Sequence, residues 1–209
     1  MKKVLVADDH AIYREGLKQI IGMTVDMVVA DEACDGQEAL RKVRENDYDV
    51  VILDISMPGR SGLEVLAEMK TAKPKLPVLV LSMHPEEQYA IRAFRTGASG
   101  YVTKGSAPQE LVEALEKVVL GKKHVSPSLA EALVAGLDDP GHQPLHARLS
   151  NREYQVLCMI GSGKPVGRIA GELSLSVKTV STYRTMILRK LNLRNNAEIT
   201  RYAIENSLT

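Results

Sequence analysis

Four short apolar runs in this chain each stop on polar residues. Val4-Leu5-Val6-Ala7 ends in Asp8-Asp9, Val50-Val51-Ile52-Leu53 in Asp54, Val78-Leu79-Val80-Leu81 in Ser82, and Gly100-Tyr101-Val102-Thr103 in Lys104. Unbroken Val, Ile and Leu suit strands covered on both faces, and predict parallel strands over 3–8, 49–53, 77–82 and 99–103. A fifth strand, over 26–31, is the least punctuated. Between these runs, apolar positions recur at helical spacing over roughly 11–22, 36–46, 61–73, 86–96 and 107–120. Five strand–helix units with right-handed crossovers predict an α/β, flavodoxin-like, doubly wound sheet of order 2-1-3-4-5.

From Leu149 the pattern is helical throughout. Ser150 and Glu153 form a capping-box pattern, and Tyr154, Val156, Leu157 and Ile160 carry that helix forward. A second helix is expected over 166–173, a third from Val177 to Leu191 capped by Ser176, and a fourth capped by Asn195 and running to Asn206. The chain therefore divides into an α/β domain over 1–120, a linker over 121–148 and an all-α domain over 149–209. Gly121, Pro127, Gly136, Pro140, Gly141 and Pro144 punctuate the linker, within which a short helix from Pro127 is expected, capped by Ser126.

Length and composition agree with two small folded domains: 209 residues, 44% hydrophobic and 25% charged. The net charge of +1 hides an asymmetry. Residues 1–120 hold 15 Lys and Arg against 19 Asp and Glu, whereas residues 149–209 hold 9 against 4. A basic tail points to a nucleic-acid partner, although basicity can also serve solubility alone. Cys34 and Cys158 are too far apart in sequence to form a metal-binding motif and are read as small buried hydrophobes in a reducing cytosol. No apolar run has transmembrane length, and the first one stops at Asp8, too soon for a signal peptide. The expected location is cytoplasmic, away from membranes.

In an open α/β sheet, ligands bind outside the carboxyl ends of the strands. Asp8, Asp9, Asp54, Ser82 and Lys104 would meet there. Three carboxylates, a hydroxyl and an ammonium can hold a hard divalent cation and a phosphoryl group. Carboxylates crowded without a cation would be electrostatically costly.

Asp8-Asp9, Asp54 within Leu53–Gly59, Ser82, Tyr101 and Lys104 together resemble the receiver domain of bacterial two-component response regulators. The segment from Leu149 to Leu191 resembles the LuxR-type helix-turn-helix, so the whole chain resembles the NarL/FixJ family. The resemblance implies that a sensor histidine kinase phosphorylates Asp54, and that Asp8, Asp9, Asp54 and the backbone carbonyl of Ser56 hold Mg²⁺. Lys104 and Ser82 would bind the phosphoryl group. Tyr101 would be a switch residue or an ordinary core tyrosine. Ser56 and His84 flank the site, where they could tune dephosphorylation. One position departs from the pattern: Gly105 stands where receivers commonly carry proline after the lysine.

In the third tail helix, Val177, Val180, Ile187 and Leu191 share one face, while Lys178, Ser181, Thr182, Thr185 and Arg189 share the opposite one. Read as a recognition helix, it would offer Lys178, Thr179 and Tyr183 to phosphates, and Ser181, Thr182 and Thr185 to base edges of double-stranded DNA. Arg189 belongs to the same face. One small module reads few base pairs, so a homodimer on a two-fold promoter site is expected, with the transcription machinery as a further candidate partner. Ile199, Tyr202 and Ala203 would either form the dimer face or complete the domain's own core. Two other functions compete: a DNA-binding regulator that ignores phosphorylation, and an aspartyl-phosphate phosphatase. The second would want another acid where Ser56 stands.

Overall fold

The computed structural model describes residues 1–84, 86–127, 129–131 and 144–209. The chain forms two compact units, 1–132 and 133–209.

The first unit alternates strand and helix: β1 (Lys2–Ala7), α1 (Ala11–Gly22), β2 (Met27–Ala33), α2 (Gly36–Glu45), β3 (Val50–Asp54), α3 (Gly62–Ala72), β4 (Val78–Ser82), α4 (Glu86–Thr96), β5 (Gly100–Thr103) and α5 (Pro108–Val119). The strands pair in parallel in the order β2-β1-β3-β4-β5, as the sequence predicts. Val4, Ile52 and Leu79 face α1 and α5, joined by Leu17 and Leu115. Every residue of β3 and β4 is buried, which explains why those strands read as unbroken apolar runs. β2 extends to Ala33 through Asp31 and Glu32, with a register shift against β1 at Val4/Leu5. It is an outer strand with exposed positions, so its sequence lacks the signature of the inner ones.

The segment after α5 lies along β5. His124 N–H donates to the Ser99 carbonyl (2.9 Å), and His124 pairs in parallel with Gly100. Ser126 Oγ donates to Glu86 of α4 and accepts from Leu129 N–H (3.1 Å), and Leu129 is buried. Ser126 thus caps a helical turn, as expected. The rest of the predicted linker helix, from residue 132, lies outside the described residues.

The described part of the second unit holds a 3₁₀ turn (Leu145–Arg148), followed by α6 (Asn151–Gly161), α7 (Val166–Glu172), α8 (Val177–Leu191) and α9 (Asn196–Glu205). The predicted caps form. Ser150 and Glu153 close their box, Ser176 accepts from Thr179 N–H and Asn195 from Glu198 N–H. Lys190 of α8 reaches the buried Glu153 carboxylate at 2.7 Å, tying α8 to the start of α6. Gly161 lets α9 approach, because a Cβ there would lie 2.5 Å from Ala203 Cβ. Among the described residues no helix is long and apolar enough to cross a membrane.

Candidate functional site

Asp8 and Asp9 follow β1, Asp54 ends β3, Ser82 ends β4 and Lys104 follows β5. Parallel pairing brings all of these strand ends to one edge of the sheet. Asp54 is 0% exposed and Asp8 1%. Lys104 Nζ lies 2.6 Å from Asp8 Oδ2 and 2.7 Å from Asp54 Oδ2, bridging the two. The other Asp54 oxygen accepts from Ser56 N–H at 2.7 Å. Gly62 keeps the β3–α3 loop close, since a Cβ there would lie 2.3 Å from Ile55 Cα and 2.7 Å from the Asp54 carbonyl oxygen.

Burial pushes the Asp54 carboxyl above its ordinary value, and the nearby Lys104 ammonium only partly offsets it. For Lys104, burial works against the charge, but the bonds to Asp54 and Asp8 outweigh it and raise its value. Asp9 is part-exposed, and His10 Nδ1 lies 2.9 Å from it and 3.3 Å from Asp8. Ligand atoms of Asp8, Asp9, His10 and Asp54 all lie within 4.8 Å of one another. Three carboxylates beside one ammonium leave an excess of negative charge, and their hard oxygens suit a small divalent cation.

Neighbouring residues that the sequence reading missed complete the frame. Arg14 of α1 donates to the Asp8 carbonyl (2.8 Å) and pairs with Glu32 of β2 (3.0 Å). The Tyr13 phenol donates to the Lys104 carbonyl at 3.2 Å, and its ring lies 4.7 Å from Lys104 Nζ. These contacts join α1 to β2 and β5, so no local sequence signal marks them. Ser82 is buried, and its Oγ accepts from His84 N–H at 3.0 Å. Tyr101 is buried, as a core tyrosine would be, and its hydroxyl donates to the His84 carbonyl at 2.9 Å. It is thereby tied to the loop after β4.

In the second unit, α8 exposes Lys178, Ser181, Thr182, Thr185 and Arg189, with Thr179 and Tyr183 half-buried. Thr182 and Thr185 donate their hydroxyls to the carbonyls of Lys178 and Ser181, both at 3.0 Å. Val180, Ile187 and Leu191 face the core, but Val177 is 55% exposed at the first position of the helix. It stands beside Lys178 on the surface, contrary to the apolar stripe read from the sequence.

The apolar stripe of α9 turns inward. Ile199 and Ala203 are fully buried in their own unit, and Tyr202 is half-buried, accepting from His146 N–H at 3.2 Å. Ile199 and Ala203 thus pack into the domain's core, and Ile204 is a large apolar residue that α9 leaves exposed.

A family model described as the response regulator receiver domain matches residues 4–116, and one described as bacterial regulatory proteins, luxR family, matches 147–203. The chain is 35% identical over 209 residues to the response regulator UvrY of Escherichia coli (strain K12), covering 100% of this chain and 96% of UvrY. It is 36% identical over 213 residues to the oxygen regulatory protein NreC of Staphylococcus carnosus, covering 99% and 98%. Among solved structures, RcsB from Salmonella enterica serovar Typhimurium, bound to promoter rprA in the presence of phosphomimetic BeF₃⁻, matches with a TM-score of 0.66 at 26% identity, covering 96% of this chain and 97% of RcsB.

Proposed function

The chain belongs to the NarL/FixJ family of two-component response regulators, which joins a receiver domain to a LuxR-type DNA-binding domain, and from that premise we propose that Asp54 is its phosphoacceptor. Its partners are a sensor kinase and DNA, and its output is transcription regulation. The observation that carries the Asp54 reading is the bridge of Lys104 between Asp54 and Asp8 at the carboxyl edge of the sheet.

An Asp54 oxygen attacks the phosphorus of a phosphohistidine on the kinase. A P–O bond forms as the P–N bond breaks, and the imidazole leaves with a proton from solvent. Lys104, already bonded to Asp54 Oδ2, is placed to pair with the phosphoryl oxygens. Ser82 accepts from His84, which leaves its own proton free to donate to them. Mg²⁺ fits the donor set of Asp8, Asp9, Asp54 and the Ser56 carbonyl, and would neutralise charge on the transferring group. Catalysis is then confined to the chain's own phosphorylation and dephosphorylation. The Tyr101–His84 bond offers a route from the phosphoryl site to the loop before α4.

The exposed face of α8 enters the major groove, with Lys178, Thr179, Tyr183 and Arg189 toward phosphates and Ser181, Thr182 and Thr185 toward base edges. Val177 joins them, its methyls suited to a thymine methyl. Phosphorylation favours a homodimer on a two-fold site, within the cytoplasm, where kinase and DNA meet. The proposed receiver over 1–120 and DNA-binding domain over 149–209 each gain part of the proposed linker over 121–148: the stretch to Leu129 packs on the receiver, and His146 bonds to Tyr202 of the helical unit.

Incubation with Mg²⁺ and a small phosphodonor, beside Asp54→Ala, tests this reading by intact mass and DNA retention in the same samples. A single adduct, absent in the variant and accompanied by tighter DNA binding, is expected. Adduct-free protein with unchanged DNA binding would leave a regulator that ignores phosphorylation.

A further inference from the structure

Lys104 is followed by glycine, which imposes no φ restraint of its own, and Gly105 is exposed with nothing within 4 Å of where a Cβ would stand. The loop therefore gains little rigidity from this residue. Its hold on Lys104 comes from elsewhere. Lys104 N–H donates to the Ser82 carbonyl at 2.7 Å. The remaining backbone group, the Lys104 carbonyl, accepts from the Tyr13 phenol, and the same tyrosine ring lies against the ammonium at the other end of the side chain. One residue of α1 thus touches both ends of the lysine. Tyr13 is itself half-buried against the core that contains Leu17 and Val102, so the ring has a fixed backing.

We propose that Tyr13 is a positioning residue for phosphoryl transfer: its phenol fixes the Lys104 backbone and its ring face holds the Lys104 ammonium over Asp54. This rests on the reading of Asp54 as phosphoacceptor. Before transfer, two carboxylates already hold the ammonium, at 2.6 and 2.7 Å. Forming the acyl phosphate takes away the Asp54 carboxylate as a partner, and the ammonium must turn to the phosphoryl oxygens. The attraction of the aromatic face does not depend on the state of Asp54, and it is strongest where water is excluded. Tyr13 therefore keeps the cation in place through the step in which its carboxylate partner changes. Burial also holds the phenol above its ordinary value, with Lys104 acting against this, so Tyr13 donates as a neutral phenol.

Two variants separate the contacts. Tyr13→Phe keeps the ring and loses the phenol, whereas Tyr13→Leu loses both. In the full chain with saturating Mg²⁺, adduct formation from acetyl phosphate is followed by intact mass across donor concentrations. Tyr13→Leu should lower the maximal rate about tenfold while leaving the half-saturating donor concentration unchanged. Tyr13→Phe should stay within about threefold of the parent. A purely structural role would instead lower the melting temperature and the fraction that reacts, with an unchanged rate in the remainder. Equal maximal rates for the parent and Tyr13→Leu would overturn the proposal. The ¹H–¹³C signal of the Lys104 ε-methylene gives a readout independent of phosphorylation. The ring should shift it upfield in the parent and in Tyr13→Phe, and the shift should vanish in Tyr13→Leu. If the parent forms no adduct, the Asp54 reading falls on that result, and the ε-methylene signal alone decides whether Tyr13 places Lys104. An identical signal in Tyr13→Leu would refute that placement.

Discussion

Removing the Lys104 ammonium should destabilise the receiver unit more than any surface charge change could. The side chain is 4% exposed, and its two carboxylate partners are 1% and 0% exposed. Truncating one partner of a buried pair leaves an uncompensated charge, at a cost of about 3–5 kcal/mol. Here one cation serves two buried acids, so Lys104→Met should fall near the upper end. With a urea m-value of about 2 kcal/mol per molar, the midpoint should drop by about 2 M. Hydrogen exchange at the β1 and β3 amides, read by mass spectrometry across a urea series on the full chain, isolates this unit from the helical one. The loss has a direction in pH. A buried carboxyl whose folded value is raised destabilises once ionised, so the variant should regain stability as pH falls through the folded value of Asp54 toward its ordinary one. Mg²⁺ should rescue Lys104→Met more than the parent, and adding Asp54→Asn to Lys104→Met should also restore stability. A midpoint within about 0.3 M of the parent, with no gain from Asp54→Asn, would refute the electrostatic account.

Other expectations follow from local geometry. Glu38 accepts from Cys34 N–H at 2.9 Å and pairs with Lys42, and its carboxyl is lowered to about 2. Its contribution to stability should be complete above the ordinary value of 4.5 and lost as pH falls through about 2, which an NMR titration with matched acid unfolding would show. Ser176→Ala removes the cap of α8 and should cost the helical unit about 1 kcal/mol, measured by denaturation of the full chain. Lys178→Ala should weaken binding evenly across DNA sequences and reduce the slope of log affinity against log salt by about 1; an unchanged slope would remove Lys178 from the phosphate contacts.

The inner strands were legible because both faces of β3 and β4 are covered, leaving no polar alternation to confuse the reading. β2 was harder, as an outer strand that carries Asp31 and Glu32 into its last turn of pairing. The acidic site could be read because each member follows an apolar run. Tyr13, Arg14 and Glu32 could not, since their roles depend on which helix and strand ends the fold brings together. The stripe of Ile199 and Ala203 showed that α9 has an apolar face but not what covers it; a domain's own core and a second subunit ask for the same residues. Val177 failed the other way. Its angular position matches Val180, yet as the first residue of α8 it lies beyond the helices that bury the rest of that face.

The segment that pairs His124 with Gly100 and seats Leu129 has a consequence for how copies of this protein meet. A parallel sheet has two outer strands, and each can template the growth of a sheet across molecules. At β5, the chain's own continuation occupies part of that edge. At β2, the register shift and the charges of Asp31 and Glu32 make a poor surface for another strand. The sheet is thus guarded on both sides against lateral polymerisation, and association between molecules is left to surfaces other than its strand edges.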